Sequence, residues 1–420
     1  MTIFIINTGA ELMLGRVLNT HQQWLCRQLA DHGYVVSRQI AVGDTASEIR
    51  NILAEALEVA DLIITTGGLG PTSDDRTRDV IAELIGRTLY QDKTVLAEIL
   101  KFFESRKRQP PESVKLQALV PEGALVLPNA HGTAPGLIIS GSPVKAATRT
   151  QMLIMLPGPP RELRPMFHHQ ALPFIQKQFP PKEPFVCRTL KTTGMGESFV
   201  EDKIVGPVAH LSAAGLELGY CARTGEVDLR FVARGVNAQK VVDEAEQIAH
   251  RVLGDVIFGQ DDEQLEEVVV RLLTERKQTV GLAESCTGGY IANRITNVSG
   301  ASAVFPAGLV TYSNETKQKL LSVSSEALNT HGAISEPVAR QMAEGARSRL
   351  AVDYALAVTG IAGPTGGTEA KPVGTVYIAL ASSKGIQVRH HRNAYDRETF
   401  KYVTSQQALE MLRRAVLSAA

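Results

Sequence analysis

The chain has 420 residues, of which 44% are hydrophobic and 21% charged, and its 44 basic residues balance 44 acidic ones. That length is more than one hydrophobic core organises and implies two or three domains. The zero formal net charge excludes a global field drawing the protein to nucleic acid or to an anionic membrane. The first residues, MTIFIINTGAE, form neither a basic leader nor an export-length apolar stretch, and no apolar run reaches membrane-spanning length. A cytoplasmic protein, with neither nucleic acid nor membrane as partner, is therefore expected. Cys26, Cys187, Cys221 and Cys286 show no CxxC spacing, which fits neither a disulfide framework nor a zinc site.

Thr2 to Ile6 reads as a buried strand, Leu18 to Asp31 as an amphipathic helix, Tyr34 to Val42 as a strand, Ala46 to Ala60 as a helix and Asp61 to Thr65 as a third strand. This alternation predicts a parallel sheet covered on both faces, which binds ligands beyond the carboxyl ends of its strands. The polar clusters fall there: GAELMLG (Gly9 to Gly15), the residues Val42 to Asp44, and TTGGLGPTSDDRTRD (Thr65 to Asp79). In the last of these, Gly67, Gly68 and Gly70 leave backbone N–H groups free to wrap a phosphate, and Asp74 and Asp75 supply hard oxygen ligands for a divalent cation. Thr72 and Asp75 also match the T-x-x-D pattern of a helix capping box, so a cap accounts for the same acids.

GGLGPTSDD, GAELMLG and VGD, together with NAHGTAPG (Asn129 to Gly136) and LPGPPRE (Leu156 to Glu162), resemble the N-terminal domain of the CinA family, which has the molybdopterin-binding fold. The resemblance implies a three-layer α/β domain over residues 1–178 with metal-dependent ADP-ribose pyrophosphatase activity. Asp74 and Asp75 would stand at its metal and phosphate end, and the metal's identity stays open. Related folds adenylylate molybdopterin, which is the alternative activity. Asn19, Thr20 and His21 stand where the family commonly has Asn-Thr-Asn, and His21 is read as a helix-start residue. The basic turn Arg106 to Glu112 reads as a solvated loop between helices.

The proline-rich joint FPPKEP (Phe179 to Pro184) marks a boundary. Residues 179–258 then read as a strand (Val186 to Thr192), a helix from Glu197, two strands about Thr224 and Gly225, and a helix from Ala238 to Leu253. This small α+β unit resembles the KH-like middle domain of the same family. A nucleic-acid-binding KH module needs a GxxG clamp in positive surroundings, whereas this segment offers Gly194, Met195 and Gly196 and more acidic than basic residues. It reads as a spacer or dimerisation element, with a homodimer expected. Arg223, Glu226 and Asp228 fit either a strand with an exposed charged face or a contribution to a neighbouring site.

The last domain, residues 261–420, is α/β and centres on AESCTGG (Ala283 to Gly289). It follows the apolar run Thr279 to Ala283 and precedes a helix from Tyr290, which puts Ser285 at a strand-to-helix turn. Free amides at the helix start favour an oxyanion or a phosphate there, and Gly288 and Gly289 let a ligand approach. A plain N-cap role explains Ser285 equally well. Amide hydrolysis needs an activated nucleophile, oxyanion donors and a proton for the leaving amine. His331, His390 and His391 stand in no convincing motif. In TYSNETK (Thr311 to Lys317), a desolvated Lys317 could act as base with Tyr312 orienting it. Cys286 carries no signal for a depressed thiol pKa beyond the helix start.

AESCTGG, TYSNETK and VTGIAGPTGGT with KPVGTV resemble, in order and spacing, the nicotinamide-mononucleotide deamidase domain of CinA proteins. The resemblance implies Ser285 as nucleophile, Tyr312 and Lys317 as activating and proton-handling partners, and Thr359 and Arg397 binding the nucleotide phosphate or orienting the amide. Thr287, Gly288, Gly289 and Gly360 complete the implied substrate contacts. The family often has a second basic residue after that arginine; here Phe400 and Lys401 follow. The whole chain thus reads as a two-activity pyridine-nucleotide enzyme acting on nicotinamide mononucleotide and ADP-ribose, with a divalent metal at the N-terminal site and no cofactor at the deamidase. A non-catalytic competence- or repair-linked scaffold is the reading from another class.

Overall fold

The computed structural model describes residues 1–141 and 151–418, and the chain divides into two compact units, Met1–Val186 and Cys187–Ala420. In the first, β1 (Ile3–Thr8), β2 (Arg38–Val42) and β3 (Leu62–Thr66) precede the short β4 (Leu89–Gln91), β5 (Leu119–Pro121) and β6 (Leu125–Leu127), then β7 (Gly136–Gly141) and β8 (Gln151–Leu156). The main sheet has the order β2-β1-β3-β8-β7-β6. Ile3 and Ile5 of β1 pack in one core with Leu62, Ile64 and Ile154. Phe4 and Ile6 pack in another with Ile63, Leu153 and Met155. Alternate residues of one strand therefore feed two cores, which is the three-layer α/β arrangement.

Two details differ from the sequence reading. The sheet is mixed, because β7 runs antiparallel to both β6 and β8; the connection 128–135 is too short for the crossover a parallel pair requires. β2 also begins at Arg38 rather than at Tyr34. Tyr34 is drawn off the sheet edge, its amide bonded to Leu29 O and its hydroxyl donating to Phe179 O at 2.9 Å.

In the second unit β9 (Phe185–Thr193), β10 (Glu217–Arg223), β11 (Glu226–Arg234) and β12 (Ile257–Gln260) form a sheet of order β10-β11-β9-β12. The helices Glu197–Ala213 and Ala238–Leu253 accompany it, a KH-like α+β module. Glu226 and Asp228 do not form the exposed charged face that was one reading of this strand. Both are buried around the fully buried Lys191, at 3.5 and 2.8 Å. Burying three charges is tolerable only when they are paired and hydrogen-bonded. Glu226 also accepts from Gln406 Nε2 at 2.6 Å, which ties this sheet to the closing helix Arg397–Leu417.

The remaining strands, β13 (Val280–Glu284), β14 (Ala307–Val310), β15 (Tyr354–Gly360), β16 (Thr375–Ser382) and β17 (Gly385–Arg392), order as β14-β13-β15-β16-β17. β14, β13 and β15 pair in parallel, and β16 runs antiparallel to both of its neighbours, β15 and β17. The two faces differ in side-chain size. One carries Leu282, Leu356, Val358, Ile378 and Leu380, the other Ala283, Ala355, Ala357, Ala379 and Ala381. The alanine face lets the helix Glu336–Leu350 lie close, and a Cβ on Gly281 of β13 would stand 2.6 Å from Leu350 Cδ1. The carboxyl end of β13, between its two parallel neighbours, holds Ser285. Among the described residues, no helix is long and apolar enough to cross a membrane.

Candidate active sites

Ser285 leaves the end of β13 only 8% exposed, its amide bonded to Val358 O at 3.1 Å on the neighbouring strand. Lys317 reaches it from the helix Asn314–Leu321, whose start is fixed by the Ser313 hydroxyl accepting from the Thr316 amide. The lysine is 1% exposed, with Nζ 3.1 Å from Ser285 Oγ, 2.9 Å from Thr311 O and 3.3 Å from Tyr312 O. Burial lowers its pKa; the nearby Cys286 opposes that shift. No carboxylate pairs with it among the described residues. A neutral amine has two protons, which the two carbonyls accept, and one lone pair, which is left facing the serine hydroxyl. As an ammonium the same group donates to all three oxygens.

The neighbouring thiol is unsuited to the same task. Cys286 is buried, and burial pushes its pKa up to about 12, leaving almost no thiolate at neutral pH.

Glu284 was absent from the sequence reading, and it changes the expected oxyanion site. Its buried carboxylate accepts from the amides of Gly289 (3.0 Å), Ile291 (3.2 Å) and Ala292 (2.8 Å). The positive start of the helix Tyr290–Thr296 is therefore filled by the protein's own anion rather than left for a ligand. Hydrogen bonds to a charged group contribute about 1.5–3 kcal/mol each. Glu284→Gln, which removes the charge and turns an NH2 toward at least one amide, should lower the unfolding free energy by roughly 1–3 kcal/mol, measurable by urea titration. An unchanged midpoint would show that this carboxylate does not hold the turn.

The other expected residues fall into two groups. Gly288 and Gly289 both take positive φ, +61° and +93°, and nothing lies within 4 Å of a Cβ built on Gly288, so the loop is open to close approach. Arg397 donates to Gly363 O at 2.9 Å and to the Tyr312 hydroxyl at 2.8 Å. The Tyr312 phenol, expected beside the amine, faces Arg397 instead and is 60% exposed; only its backbone carbonyl meets Lys317.

Thr359 is buried, with its hydroxyl donating to Ala333 O at 2.8 Å, so it holds a neighbouring loop rather than standing free for a phosphate. Gly360 is explained by strand pairing, since a Cβ there would meet Thr375 O at 2.7 Å. Thr287 is fully buried and its hydroxyl has no protein partner. Phe400 lies in the core, and the Lys401 ammonium sits 5.6 Å from the Tyr290 ring centroid.

In the first unit a cleft of about 360 Å³ opens at the carboxyl ends of β1, β3 and β8, lined by Gly67, Gly68, Gly70, Asp74 and Asp75 together with Asp44. The glycines are packed rather than slack. Gly67 and Gly68 take φ of +91° and +66°, and a Cβ would lie 2.7 Å from Thr8 O in the first and 2.0 Å from Thr77 Oγ1 in the second. A Cβ on Gly70 would stand 2.3 Å from Asp75 Oδ2. The amide of Gly67 is already bonded to Leu156 O.

Thr72 and Asp75 do hydrogen-bond, the Asp75 carboxylate accepting from the Thr72 amide at 3.0 Å and its hydroxyl at 2.5 Å. They do not cap a helix, because the helix starts at Thr77 with Arg76 at its N-cap. The bond closes a loop that leaves Asp74 exposed. Asp44, which the sequence reading placed only in a motif, accepts from the Ala10 amide at 2.6 Å. Its pKa is raised by burial and by the nearby Glu11, Asp74 and Asp75. His21 is half-buried and hydrogen-bonds Gly158 O, bracing the turn on the cleft's far wall.

No group of three or more His, Cys, Asp or Glu that could hold a metal converges among the described residues, so the cleft is not an all-protein cage. Mutually repelling carboxylates beside a glycine loop instead fit a small divalent cation held by one or two of them and completed by substrate phosphates and water.

Comparison with known proteins covers nearly the whole chain. The family description "CinA C-terminal domain" matches residues 262–416, "Damage-inducible protein CinA KH domain" matches 187–259, and "Probable molybdopterin binding domain" matches 4–177. A protein of Caldicellulosiruptor bescii named as competence-damage inducible is 43% identical over 420 residues, covering 99% of this chain and 100% of its own. One of Symbiobacterium thermophilum with the same name is 46% identical over 387 residues, 90% of this chain and 88% of its own. A "CinA-like protein" of Kosmotoga olearia is 40% identical over 416 residues, 98% of each.

Proposed function

The chain belongs to the CinA family, and on that premise we propose that it is a two-activity pyridine-nucleotide enzyme. Its C-terminal domain hydrolyses the amide of nicotinamide mononucleotide, and its N-terminal domain hydrolyses ADP-ribose with a divalent cation. The single observation that carries the deamidase reading is the buried Ser285 Oγ to Lys317 Nζ pair at 3.1 Å, in which burial lowers the pKa of the amine.

In this reading the Ser285 oxygen attacks the carboxamide carbon as Lys317 takes the hydroxyl proton. Collapse of the tetrahedral adduct breaks the C–N bond, and Lys317 returns its proton so that ammonia leaves, giving an ester on Ser285. Water, deprotonated by the same amine, hydrolyses that ester to nicotinate mononucleotide and regenerates the serine. Arg397 spends two donors on Gly363 O and the Tyr312 hydroxyl and keeps others for the phosphate.

At the N-terminal site Asp74 and Asp75 would hold the cation, which supplies charge neutralisation for the pyrophosphate and an activated water. The Gly67–Gly70 turn would seat the phosphates. The match of residues 4–177 to a molybdopterin binding domain favours, as a second reading for this site, adenylyl transfer to molybdopterin.

Purified protein incubated with each nucleotide, with and without divalent metal, tests both halves. Ammonia and nicotinate mononucleotide should form whether or not a chelator is present, and AMP with ribose 5-phosphate only when metal is supplied. No ammonia from nicotinamide mononucleotide would sink the deamidase reading. Inertness toward ADP-ribose together with ATP-dependent turnover of molybdopterin would replace the pyrophosphatase reading.

A further inference from the structure

Within the second unit, a cleft of about 590 Å³ lies between the KH-like sheet and the last strand and closing helix of the C-terminal domain. None of Ser285, Tyr312, Lys317 or Arg397 lines it. One wall is the Gly194–Gly196 turn and Arg223; the other carries Arg389, His391, Arg392 and Arg414. The charge balance inside it departs from the neutrality of the whole chain. Arg223 is paired with Asp228 and Glu226 with Lys191, while Glu410 is shared between Arg413 and Arg414. Arg389 and Arg392 have no acidic partner among the described residues, and Glu197 is the one lining acid left to oppose them. The cleft therefore keeps a surplus of positive charge in a concavity, where a potential is focused on whatever enters.

Two further features narrow the ligand. Tyr395 lines the same cleft and is 52% exposed, an aromatic face beside guanidinium groups. The opposite wall is low, since Gly194 has φ of +78° and the nearest atom to a Cβ built there is an Arg414 nitrogen at 3.9 Å. The volume suits one small molecule rather than a strand of nucleic acid.

We propose that this cleft is a second nucleotide site, binding a phosphate-bearing mononucleotide. Its phosphates pair with Arg389 and Arg392, whose planar guanidinium groups match phosphate oxygens in bidentate fashion, and its base lies against Tyr395. The inference is independent of which reactions the catalytic sites perform.

ADP is the probe, and hydrogen exchange followed by mass spectrometry on the full chain gives a local reading that other nucleotide sites cannot imitate. Millimolar ADP should slow exchange in 193–197 and 389–395. Arg389→Gln combined with Arg392→Gln should weaken that protection about tenfold or more, the loss expected for charge-assisted contacts. Both side chains are exposed, so the variant should melt as the parent does, and its response to ADP in 65–79 should be unchanged. Adenosine should give no protection. Absence of protection in both segments, equal protection in the double variant, or equal protection by adenosine would each overturn the site.

Discussion

Lys317→Arg is expected to lower ammonia release from nicotinamide mononucleotide by about 10²–10⁴-fold, the usual contribution of a positioned general base, with a much smaller change in KM. Arginine keeps the positive charge but cannot lose it at accessible pH, so it has no lone pair for the Ser285 hydroxyl. Because the site is fully buried, the larger guanidinium could also displace neighbours. Lys317→Met, nearly isosteric and uncharged, should lose turnover to the same extent with an unchanged melt. Ser285→Ala should abolish deamidation, while Cys286→Ala should stay close to wild type, since its thiol is pushed up to about 12. Wild-type turnover in both lysine variants would remove Lys317 from the mechanism. Loss of activity in Cys286→Ala with retention in Ser285→Ala would reassign the nucleophile to sulfur.

The pH dependence has a definite sign. The base form of Lys317 is the neutral one, and burial lowers its pKa. Turnover should therefore rise with pH through a single ionisation whose midpoint lies below the ordinary lysine value of about 10.4. It should fall at lower pH as the ammonium forms. A rate that falls with rising pH across the neutral range would contradict the assignment.

How much of this was legible before the structure depended on whether the signal was local. β1, β3 and β13 could be read because strands covered on both faces are nearly continuous apolar runs, whereas β6, β7 and β8 of the first sheet were not assigned as strands. The site of Ser285 at the end of one such run followed from the same pattern. Glu284 was hidden because in sequence it is merely the last residue of a strand. Only the turn through Gly288 and Gly289 brings the amides of 289–292 back to its carboxylate. Glycine motifs were ambiguous for a physical reason: Gly288 leaves open space, whereas Gly360 and Gly68 avoid collisions with the protein itself, and both situations write the same letter. Tyr312 was placed near the amine correctly as backbone and incorrectly as phenol, because sequence spacing fixes a position on a turn but not a rotamer.

Replacing Asp74 and Asp75 together by Asn should reduce metal-dependent ADP-ribose hydrolysis on the order of 10²-fold or more, equivalent to about 2.7 kcal/mol of transition-state stabilisation. The fold should persist. Asp75 holds Thr72 through one carboxylate oxygen, Oδ2, and an amide oxygen can accept the same two bonds. Asp74 is exposed and lies outside the helix that begins at Thr77, so no cap is lost. The substitution also removes two negative charges from the neighbourhood of Asp44, whose pKa they help to raise, and leaves Glu11, Asp44 and Glu162 as the carboxylates lining the cleft. Deamidation of nicotinamide mononucleotide should be unaffected, because Ser285 and Lys317 belong to the other unit. Both assays and a thermal melt on one variant decide the matter. A folded double variant that hydrolyses ADP-ribose at the wild-type rate with the same metal requirement would end the metal-holding role of Asp74 and Asp75. A matched loss of both activities with a lowered melt would make their role structural.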